Sequence, residues 1–450
     1  SRYAFESKIV TMASRVAARA ATPLSHSLPR GFLGAPHCQS LSQSITGFSQ
    51  SGRQSASAAA QDARTGSPHV AQKSARQQVS PPTTESVAQM TRVSNNSIDE
   101  SESSRSDELM SVWWKRQQER RTRLRPDREN VERLSSEIES IVDKLVPHES
   151  HVAQKDEFLK RLQHTLKDTI DGAEVAPFGS VVNGFWTQDS DLDICMRVPG
   201  ATTRPAQIQA LRKIAQELSQ YSSYHIEPRF GAQVPILHWA PQRPGMVACD
   251  ISINNVLAVV NSRLVGHYVQ IDNRLRSLGL CVKAWAKARG INDRSRGTVS
   301  SFALVLMLIH FLQRRDPPAL PSLQDLAFSR NEKPMYVAGV DCRYCTDMDA
   351  IQKELKYLRG DRPPNQESVG QLLLEFLRYF GHEYKYGVIR IRDTRSFIPP
   401  IDESSAYLIV DNPYEVGKDV ANIDETQHDV IRKEFRRAWS FLSQGRPFSE

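Results

Sequence analysis

The stretch "FGSVVNGFWTQDSDLDICMRV", residues 178–198, decides the fold. It contains a Gly-Ser turn at Gly179 and Ser180 and, eleven residues after Ser180, the pair Asp191 and Asp193 in an apolar, strand-like run. Side chains alternate along a strand, so both carboxylates face the same side. Two carboxylates in that position repel each other unless a cation lies between them. Hard oxygen ligands at this spacing suit Mg²⁺, for which Mn²⁺ can substitute.

A third carboxylate, Asp250, lies in "MVACDISINN", residues 246–255, an apolar segment in which a lone buried acid would be costly. We therefore predict that Asp191, Asp193 and Asp250 form one catalytic, metal-binding triad. Such a triad can hold two ions, one activating a ribose 3′-hydroxyl and one stabilising the departing pyrophosphate, with Asp250 as ligand or base. The alternative is an exposed acidic turn. The upstream glycine favours catalysis, because it lets backbone amides approach phosphate oxygens.

Composition sets broad limits on the class of protein. A chain of 450 residues predicts two folded units plus a tail. The 58 basic and 51 acidic side chains suit a polyanionic partner without requiring one. The six cysteines are scattered, which favours a reducing compartment over a secreted disulfide scaffold. No apolar run approaches the roughly 18 to 20 residues that cross a bilayer, so we expect a soluble protein with no membrane association.

The amino-terminal part differs in composition from the rest. Residues 1–108 are rich in Ser, Ala, Gln and Pro and are predicted to form a disordered tail. Between Met12 and Ala60 there are four arginines and no acid, a composition typical of a mitochondrial transit peptide. We expect a cytoplasmic protein, with mitochondrial targeting as the alternative. Arginines between Arg120 and Arg125 could meet RNA phosphates, but a solvated charged face is the commoner structure.

Three further segments complete the predicted organisation. Residues 109–158 are expected to form an N-terminal helical segment that packs on a helical lobe, because apolar side chains recur at helical spacing from Val131 to Leu145. Residues 159–260 mix strands and helices and are expected to be the catalytic domain. Residues 261–445 have an almost wholly helical pattern and are expected to form a second domain.

These motifs resemble the DNA polymerase β-like nucleotidyltransferase superfamily, and within it the terminal uridylyltransferases and non-canonical poly(A) polymerases. Besides the aspartate motifs, the likeness rests on "CDISINNVLAVVNSRL", "VKAWAKARGIND", "SRGTVSSFALVLMLIHFLQ" and "PPALPSLQDL", and it runs from about Leu159 to Leu442. The resemblance implies a two-lobed α+β fold. A mixed-sheet catalytic lobe would face a mostly helical, poly(A)-polymerase-associated lobe, with the nucleotide in the cleft between them and an RNA 3′ end as the acceptor.

The resemblance also implies a set of nucleotide-binding residues. The triphosphate would meet Gly179, Ser180, Lys283 and Lys287, and the ribose would meet Asn261 and Ser262 beside Ala258. The base would pack near Ser301 and Phe302. Phenylalanine replaces the family's usual tyrosine at position 302, which keeps a π face for stacking but loses a phenolic hydrogen bond. The alternatives are a core phenylalanine and a solvated helix face for the two lysines.

The base-reading segment is "VDNPYEVGKDVAN", residues 410–422. Asn412 replaces the family's usual aspartate, Glu415 is retained, and Lys418 stands where uridylyltransferases commonly have histidine and many poly(A) polymerases asparagine. A lysine ammonium only donates, which suits the O4 acceptor of uracil and opposes the N6 amino donor of adenine. This favours UTP over ATP. Alternatively, Lys418 turns outward and neutralises Asp419 or Glu415.

The leading function is therefore a template-independent RNA uridylyltransferase, with an ATP-using non-canonical poly(A) polymerase as the alternative. A small-molecule nucleotidyltransferase and an inactive RNA-binding scaffold are weaker candidates. A partner protein is a candidate source of RNA specificity. Cys342 and Cys345 form a single C-x-x-C, which is insufficient for a zinc site. His238, His267 and His310 each stand among apolar residues and are predicted to be satisfied core histidines.

Overall fold

A computed structural model describes residues 127–167, 169–221, 223–242, 247–384, 387–393 and 408–448. The predicted tail, the candidate targeting segment and the basic stretch Arg120–Arg125 lie outside the described residues. The described part opens with helices α1 (Arg128–Leu145) and α2 (Glu149–Lys167). No helix among the described residues combines the length and apolarity that a bilayer crossing requires.

The catalytic lobe follows, with a central five-stranded sheet. Its elements are β1 (Glu174–Phe178), α3 (Ser180–Asn183), β2 (Leu192–Arg197), α4 (Arg204–Leu218), β3 (Tyr224–Arg229), β4 (Ile236–Pro241) and β5 (Cys249–Ile253). The strand order is β1-β2-β5-β4-β3. Only β2 and β5 run parallel, and the other neighbours are antiparallel. The sheet is therefore mixed, as the family resemblance implies.

Alternation along the strands builds the core of this lobe. Leu192 and Ile194 on β2 and Leu237 on β4 are fully buried. They pack with apolar side chains of α4 and with Leu162 and Leu166 of α2. Helix α4 begins where the sequence supplies both a capping residue and a proline in the first turn, with the Thr203 hydroxyl accepting from the backbone N–H of Ala206. One face of the sheet is thereby covered.

The remaining elements form the helical lobe. They are α5 (Val256–Ile271), α6 (Arg274–Ala288), α7 (Ser301–Gln313), α8 (Leu323–Ser329), β6 (Tyr336–Val337), β7 (Val340–Asp341), α9 (Met348–Arg359), α10 (Val369–Arg378), β8 (Val388–Ile389), β9 (Ile409–Val410) and α11 (Glu425–Ser443). A 3₁₀ turn spans Arg294–Arg296 and a π-helical turn spans Tyr379–Glu383. Helix α7 is apolar on all sides and buried from Ala303 to Gln313, so it forms the centre of this lobe.

The first two helices belong to different cores. Leu134 and Ile138 of α1 are fully buried in the helical lobe, and the side chain of Asn130 donates to the carbonyl of Leu442 on α11. Helix α1 also approaches α10 closely at Gly370, where a Cβ atom would lie 2.5 Å from the carbonyl oxygen of Val131. Helix α2, in contrast, contributes to the core beneath the sheet.

The aromatic side chain of Phe185 joins the two lobes. Phe185 follows α3 of the catalytic lobe, yet it is 1% exposed within the helical core. Its ring fills the space left by Gly279 on α6, where a Cβ atom would lie 2.1 Å from Cε1 of Phe185. Arg276 and Lys283, also on α6, donate to the carbonyls of Gly184 and Phe185. The segment that carries the aspartate pair is thus anchored to the other lobe.

Candidate active site

Three polar residues form one row across adjacent strands of the sheet. Asp193 on β2 is in register with Asp250 on the parallel strand β5, and Asp250 is in register with His238 on β4. Residues in register on neighbouring strands point to the same face. The two aspartates, 57 positions apart in the sequence, are thereby brought side by side, as predicted.

Asp191 precedes β2 and completes the cluster. One ligand atom each from Asp191, Asp250 and His238 lie within 4.8 Å of one another. The Nδ1 atom of His238 is 2.5 Å from Oδ1 of Asp250. The expectation of a core histidine at this position is therefore corrected, because His238 is half-buried at the site. Period-two alternation could have indicated this, since it directs His238 away from buried Leu237 and Trp239.

Mutual repulsion and burial perturb these carboxylates. Burial, reinforced by the charges of Asp250 and Asp191, raises the pKa of Asp193 to about 7. Burial and the charge of Asp250 also raise the pKa of Asp191, while His238, Lys287 and Arg229 oppose that rise. A cation among the carboxylates would remove the repulsion and favour their ionised form. The donor set, with hard carboxylate oxygens on one face, fits a divalent metal ion.

The glycine turn abuts this cluster. Gly179 has φ +68° and lies so close to Asp193 that a Cβ atom would fall 1.9 Å from Oδ2. Its backbone N–H donates to Oγ of Ser262 at 2.8 Å, and that hydroxyl donates in turn to the carbonyl of Ala258 at 2.7 Å. The Ser262 hydroxyl is thus used to hold the turn against α5. Ser180 begins the short helix α3 directly after the turn.

Two lysines of α6 face the carboxylates from the helical lobe. Lys283 is half-buried, and burial lowers its pKa while the charge of Asp193 opposes that change. Its Nζ donates to the carbonyl of Phe185 at 3.3 Å. Lys287, one turn later, is exposed and lies within electrostatic reach of Asp191. Both cations therefore lie where an anionic ligand of the site would meet them.

The predicted ribose residue is buried with an unused acceptor. Asn261 is 7% exposed on α5, one residue before Ser262. Its Oδ1 atom has no hydrogen-bond partner among the described residues. A buried acceptor without a partner is unfavourable, so a ligand hydroxyl would stabilise it.

The base-reading segment forms a tight loop after β9. Buried Asn412 accepts from the backbone N–H groups of Tyr414 and Glu415, and its own amide donates to Glu415. The Nζ atom of Lys418 lies 3.0 Å and 2.8 Å from the two carboxylate oxygens of Glu415. The alternative pairing of Lys418 with Glu415 is thus the arrangement observed. Asn412 shapes the loop through its side chain.

The start of α7 lies beside this loop. The Ser300 hydroxyl caps the helix, accepting from the N–H of Ala303, and donates to the carbonyl of Val420. Ser301 is exposed and donates to the side chain of Asn292. Phe302 is half-buried against the helical core. The described contacts thus join Ser300, directly before Ser301 and Phe302, to the base-reading loop, while the carboxylates gather with Gly179, Ser262 and the two lysines.

The other singled-out residues lie in the helical core. Cys342 and Cys345 are buried free thiols, and they belong to no cluster of metal-binding side chains among the described residues. His310 is buried, with Nδ1 3.0 Å from the carbonyl of Arg390. His267 is half-buried and contacts the hydroxyl of Tyr344 at 3.0 Å. Both histidines lie outside the carboxylate cluster.

A mixed sheet that carries paired carboxylates on one face, beside a glycine turn, defines the catalytic lobe of a nucleotidyltransferase. Comparisons with known proteins agree. Residues 134–270 match the family described as poly(A) RNA polymerase, mitochondrial-like, central palm domain. Human terminal uridylyltransferase 7 is 32% identical over 299 residues, which cover 64% of this chain and 20% of that protein. The poly(A) RNA polymerase cid11 of Schizosaccharomyces pombe is 30% identical over 325 residues, which cover 69% of this chain and 63% of that protein.

Solved structures show the same fold. A cytoplasmic RNA terminal U-transferase superposes with a TM-score of 0.59 at 25% identity, covering 69% of this chain and 93% of that one. The mtPAP structure in complex with UTP gives a TM-score of 0.60 at 23% identity, covering 70% of each chain, and supports the fold alone. The chain is thus similar in sequence and in fold to terminal uridylyltransferases and poly(A) RNA polymerases. It spans less than two thirds of the length of either of the two curated relatives described above.

Proposed function

We propose that this protein is a template-independent nucleotidyltransferase that adds nucleotides to RNA 3′ ends and prefers UTP. The observation that carries the proposal is the side-by-side placement of Asp193 and Asp250 on parallel strands, with Asp191 beside them and the Gly179 turn against Asp193. Similarity to proteins named as uridylyltransferases and poly(A) polymerases supports the same reaction.

The three aspartates are the residues that would hold divalent metal, with Mg²⁺ preferred on the hardness of their oxygen ligands and Mn²⁺ able to substitute. Metal bound there would supply Lewis-acid activation of the RNA 3′-hydroxyl and charge stabilisation for the departing pyrophosphate. The raised pKa values of Asp191 and Asp193 support this assignment, because both carboxylates gain stability from a bound cation.

The chain's own groups position the nucleotide. Lys283 and Lys287 would neutralise the triphosphate from the helical lobe, while the positive φ of Gly179 lets the turn approach the phosphates. Asn261 would accept a hydrogen bond from a ribose hydroxyl through its unused Oδ1 atom. Acceptance from the 2′-hydroxyl would select ribonucleotides over deoxyribonucleotides.

Preference for UTP rests on Lys418. Its ammonium has three protons and Glu415 takes two hydrogen bonds, which leaves one donor for the O4 atom of uracil. Pairing with Glu415 holds the long side chain in place, so less conformational entropy is lost on binding. Adenine would direct an amino donor at the same ammonium. An RNA-binding partner protein would supply substrate specificity beyond the cleft.

The test is extension of an unstructured labelled RNA with each NTP singly in Mg²⁺, followed by gel analysis. We expect extension mainly with UTP, and its loss in an Asp191→Ala, Asp193→Ala double variant. Extension mainly with ATP would make the protein a poly(A) polymerase and contradict the role of Lys418. Absence of extension with every NTP, in Mg²⁺ and in Mn²⁺, would contradict the reaction itself.

A further inference from the structure

The carboxylate cluster contains a nitrogen atom at the position of a further ligand. His238 is fixed beside Asp250 by the register of β4 and β5, and its Nδ1 atom is 2.5 Å from Oδ1 of Asp250. One ligand atom each from His238, Asp191 and Asp250 lie within 4.8 Å of one another. His238 is the only nitrogen donor in the one such cluster that the described residues contain.

The four polar side chains divide into two sides. Asp193 lies against the Gly179 turn and within reach of the Lys283 charge, which is the side expected to meet triphosphate. His238 lies on the far side of Asp250, on β4. An ion between Asp191, Asp250 and His238 would therefore lie on the β4 side of Asp250, away from the Gly179 turn.

Among the charged groups around His238, Asp191 and Asp250 are the carboxylates available to a cation. Glu227 on β3 is in register with His238 but pairs with Arg229 at 2.8 Å, so the position beyond the histidine is already charge-balanced. Asp191 and Asp250 together carry two negative charges, which match one divalent ion without a third carboxylate. The side chain of His238 is 13% exposed, so its ring stays ordered while its edge remains accessible.

We propose that His238 is a direct ligand of the divalent ion held by Asp191 and Asp250, and that its nitrogen raises the affinity of this position for Mn²⁺ relative to Mg²⁺. The proposal rests on the proposed function, since it concerns the metal of the same site. Imidazole is a good ligand for first-row transition metals, whereas Mg²⁺ is bound almost wholly by oxygen. The nitrogen donor thus adds a metal preference that three aspartates alone would not confer.

The direct test is pulsed EPR of Mn²⁺ bound to the full-length protein, without RNA or nucleotide. We expect nitrogen modulation from a coordinated imidazole in protein with natural nitrogen, changed to a ¹⁵N pattern when only histidine is ¹⁵N-labelled. This measurement needs no variant. Wild-type protein without histidine modulation would overturn the proposal and leave His238 as a hydrogen-bond partner of Asp250.

Variants supply the second readout. We expect His238→Gln to weaken Mn²⁺ binding, measured by calorimetry, by about tenfold or more, while Mg²⁺ binding changes by less than about threefold. The matched control is His164→Gln, which replaces an exposed histidine on α2 of the same lobe. Equal loss of both metals in His238→Gln would contradict a nitrogen-based preference. Circular dichroism in EDTA checks that both variants fold.

The metal-ligand proposal and the proposed function can be distinguished by experiment. Histidine modulation in a protein that extends no RNA would support His238 as a metal ligand and contradict the proposed function. RNA extension in Mn²⁺ by a protein without that modulation would support the proposed function and contradict the His238 ligand.

Discussion

The ammonium of Lys418 is held by the carboxylate of Glu415, with Nζ 2.8 Å from Oε2 and 3.0 Å from Oε1. An exposed pair of this kind adds little stability, so its effect should appear in base selection.

We expect Lys418→Met to reduce the ratio of UTP to ATP incorporation by roughly tenfold or more, because one hydrogen bond from a charged donor is lost. Single-nucleotide addition to a labelled RNA measures the ratio. Lys433→Met, at an exposed position on α11, is the control and should leave it unchanged. An unchanged ratio in Lys418→Met would mean that another group reads the base.

The crowded carboxylates should cost stability when metal is absent. The pKa of Asp193 is raised from 3.8 to about 7. The Asp193 carboxyl therefore ionises at lower pH in the unfolded chain than in the folded one, and the free energy of unfolding falls as pH rises from about 4 to 7. We expect Asp193→Asn in EDTA at pH 8 to raise the free energy of unfolding, by at most ~4 kcal/mol. Added Mg²⁺ should stabilise wild type more than this variant.

Urea unfolding at pH 5 and pH 8, with and without metal, measures the effect. The increase in unfolding free energy caused by Asp193→Asn should be smaller at pH 5, because less of the destabilisation from ionised Asp193 has developed at that pH. Asp143→Asn on the exposed face of α1 is the control and should change little. A variant less stable than wild type in EDTA would show that Asp193 contributes favourable contacts that exceed the repulsion.

Ser262 should act through the glycine turn. Because its hydroxyl accepts from the N–H of Gly179 and donates to Ala258, we expect Ser262→Ala to release the turn and to cost about 1 kcal/mol of stability. Nucleotide extension should fall further, by roughly tenfold or more, since misplaced groups weaken catalysis steeply. Steady-state kinetics and thermal unfolding separate the two effects. Ser136→Ala, at an exposed position of α1, should alter neither stability nor nucleotide extension.

Local pattern predicted much of this structure. Apolar spacing predicts one helix from Pro205 to Leu218 and a final helix from Glu425 to Leu442. Helix α4 begins one residue before the first of these, and α11 ends one residue after the second. Both have clear apolar periodicity and, in α4, a capping residue and proline at the start. The two-lobed α+β fold implied by the motifs is confirmed.

What depends on pairing between distant strands was harder to predict. The local sequence of strand β3, "YHIEPR", does not indicate a strand, because it carries charges and Pro228, which an edge strand tolerates. The row from Asp193 through Asp250 to His238 depends on the registers of three strands, which no local window contains. His238 was therefore assigned to the core, although its neighbours in sequence are the buried residues.

The contact between Phe185 and Gly279 should tolerate no added methyl group. In Gly279→Ala the new Cβ would lie 2.1 Å from the Phe185 ring, so the ring or α6 must shift, with an expected loss of about 1–3 kcal/mol. Phe185→Leu should relieve the clash while losing packing of its own. A double-variant cycle in urea should give a favourable coupling between the two changes. Additive losses would mean that the ring does not occupy this space.

His310 should contribute a pH dependence to stability. Burial, with the nearby Arg314 charge, lowers its pKa well below 6.5, so the folded state keeps it neutral while the unfolded chain protonates. The contribution is therefore complete above about pH 6.5 and is lost as pH falls. His310→Asn keeps a donor for the Arg390 carbonyl but cannot titrate. Between pH 7.5 and 5.5 the variant should lose less unfolding free energy than wild type, by about 1.4 kcal/mol.

Urea midpoints at both pH values measure this difference, and exposed His164→Asn should reproduce the wild-type dependence of unfolding free energy on pH. An unchanged slope in His310→Asn would place the pH dependence in other histidines, such as His382, whose pKa burial also lowers.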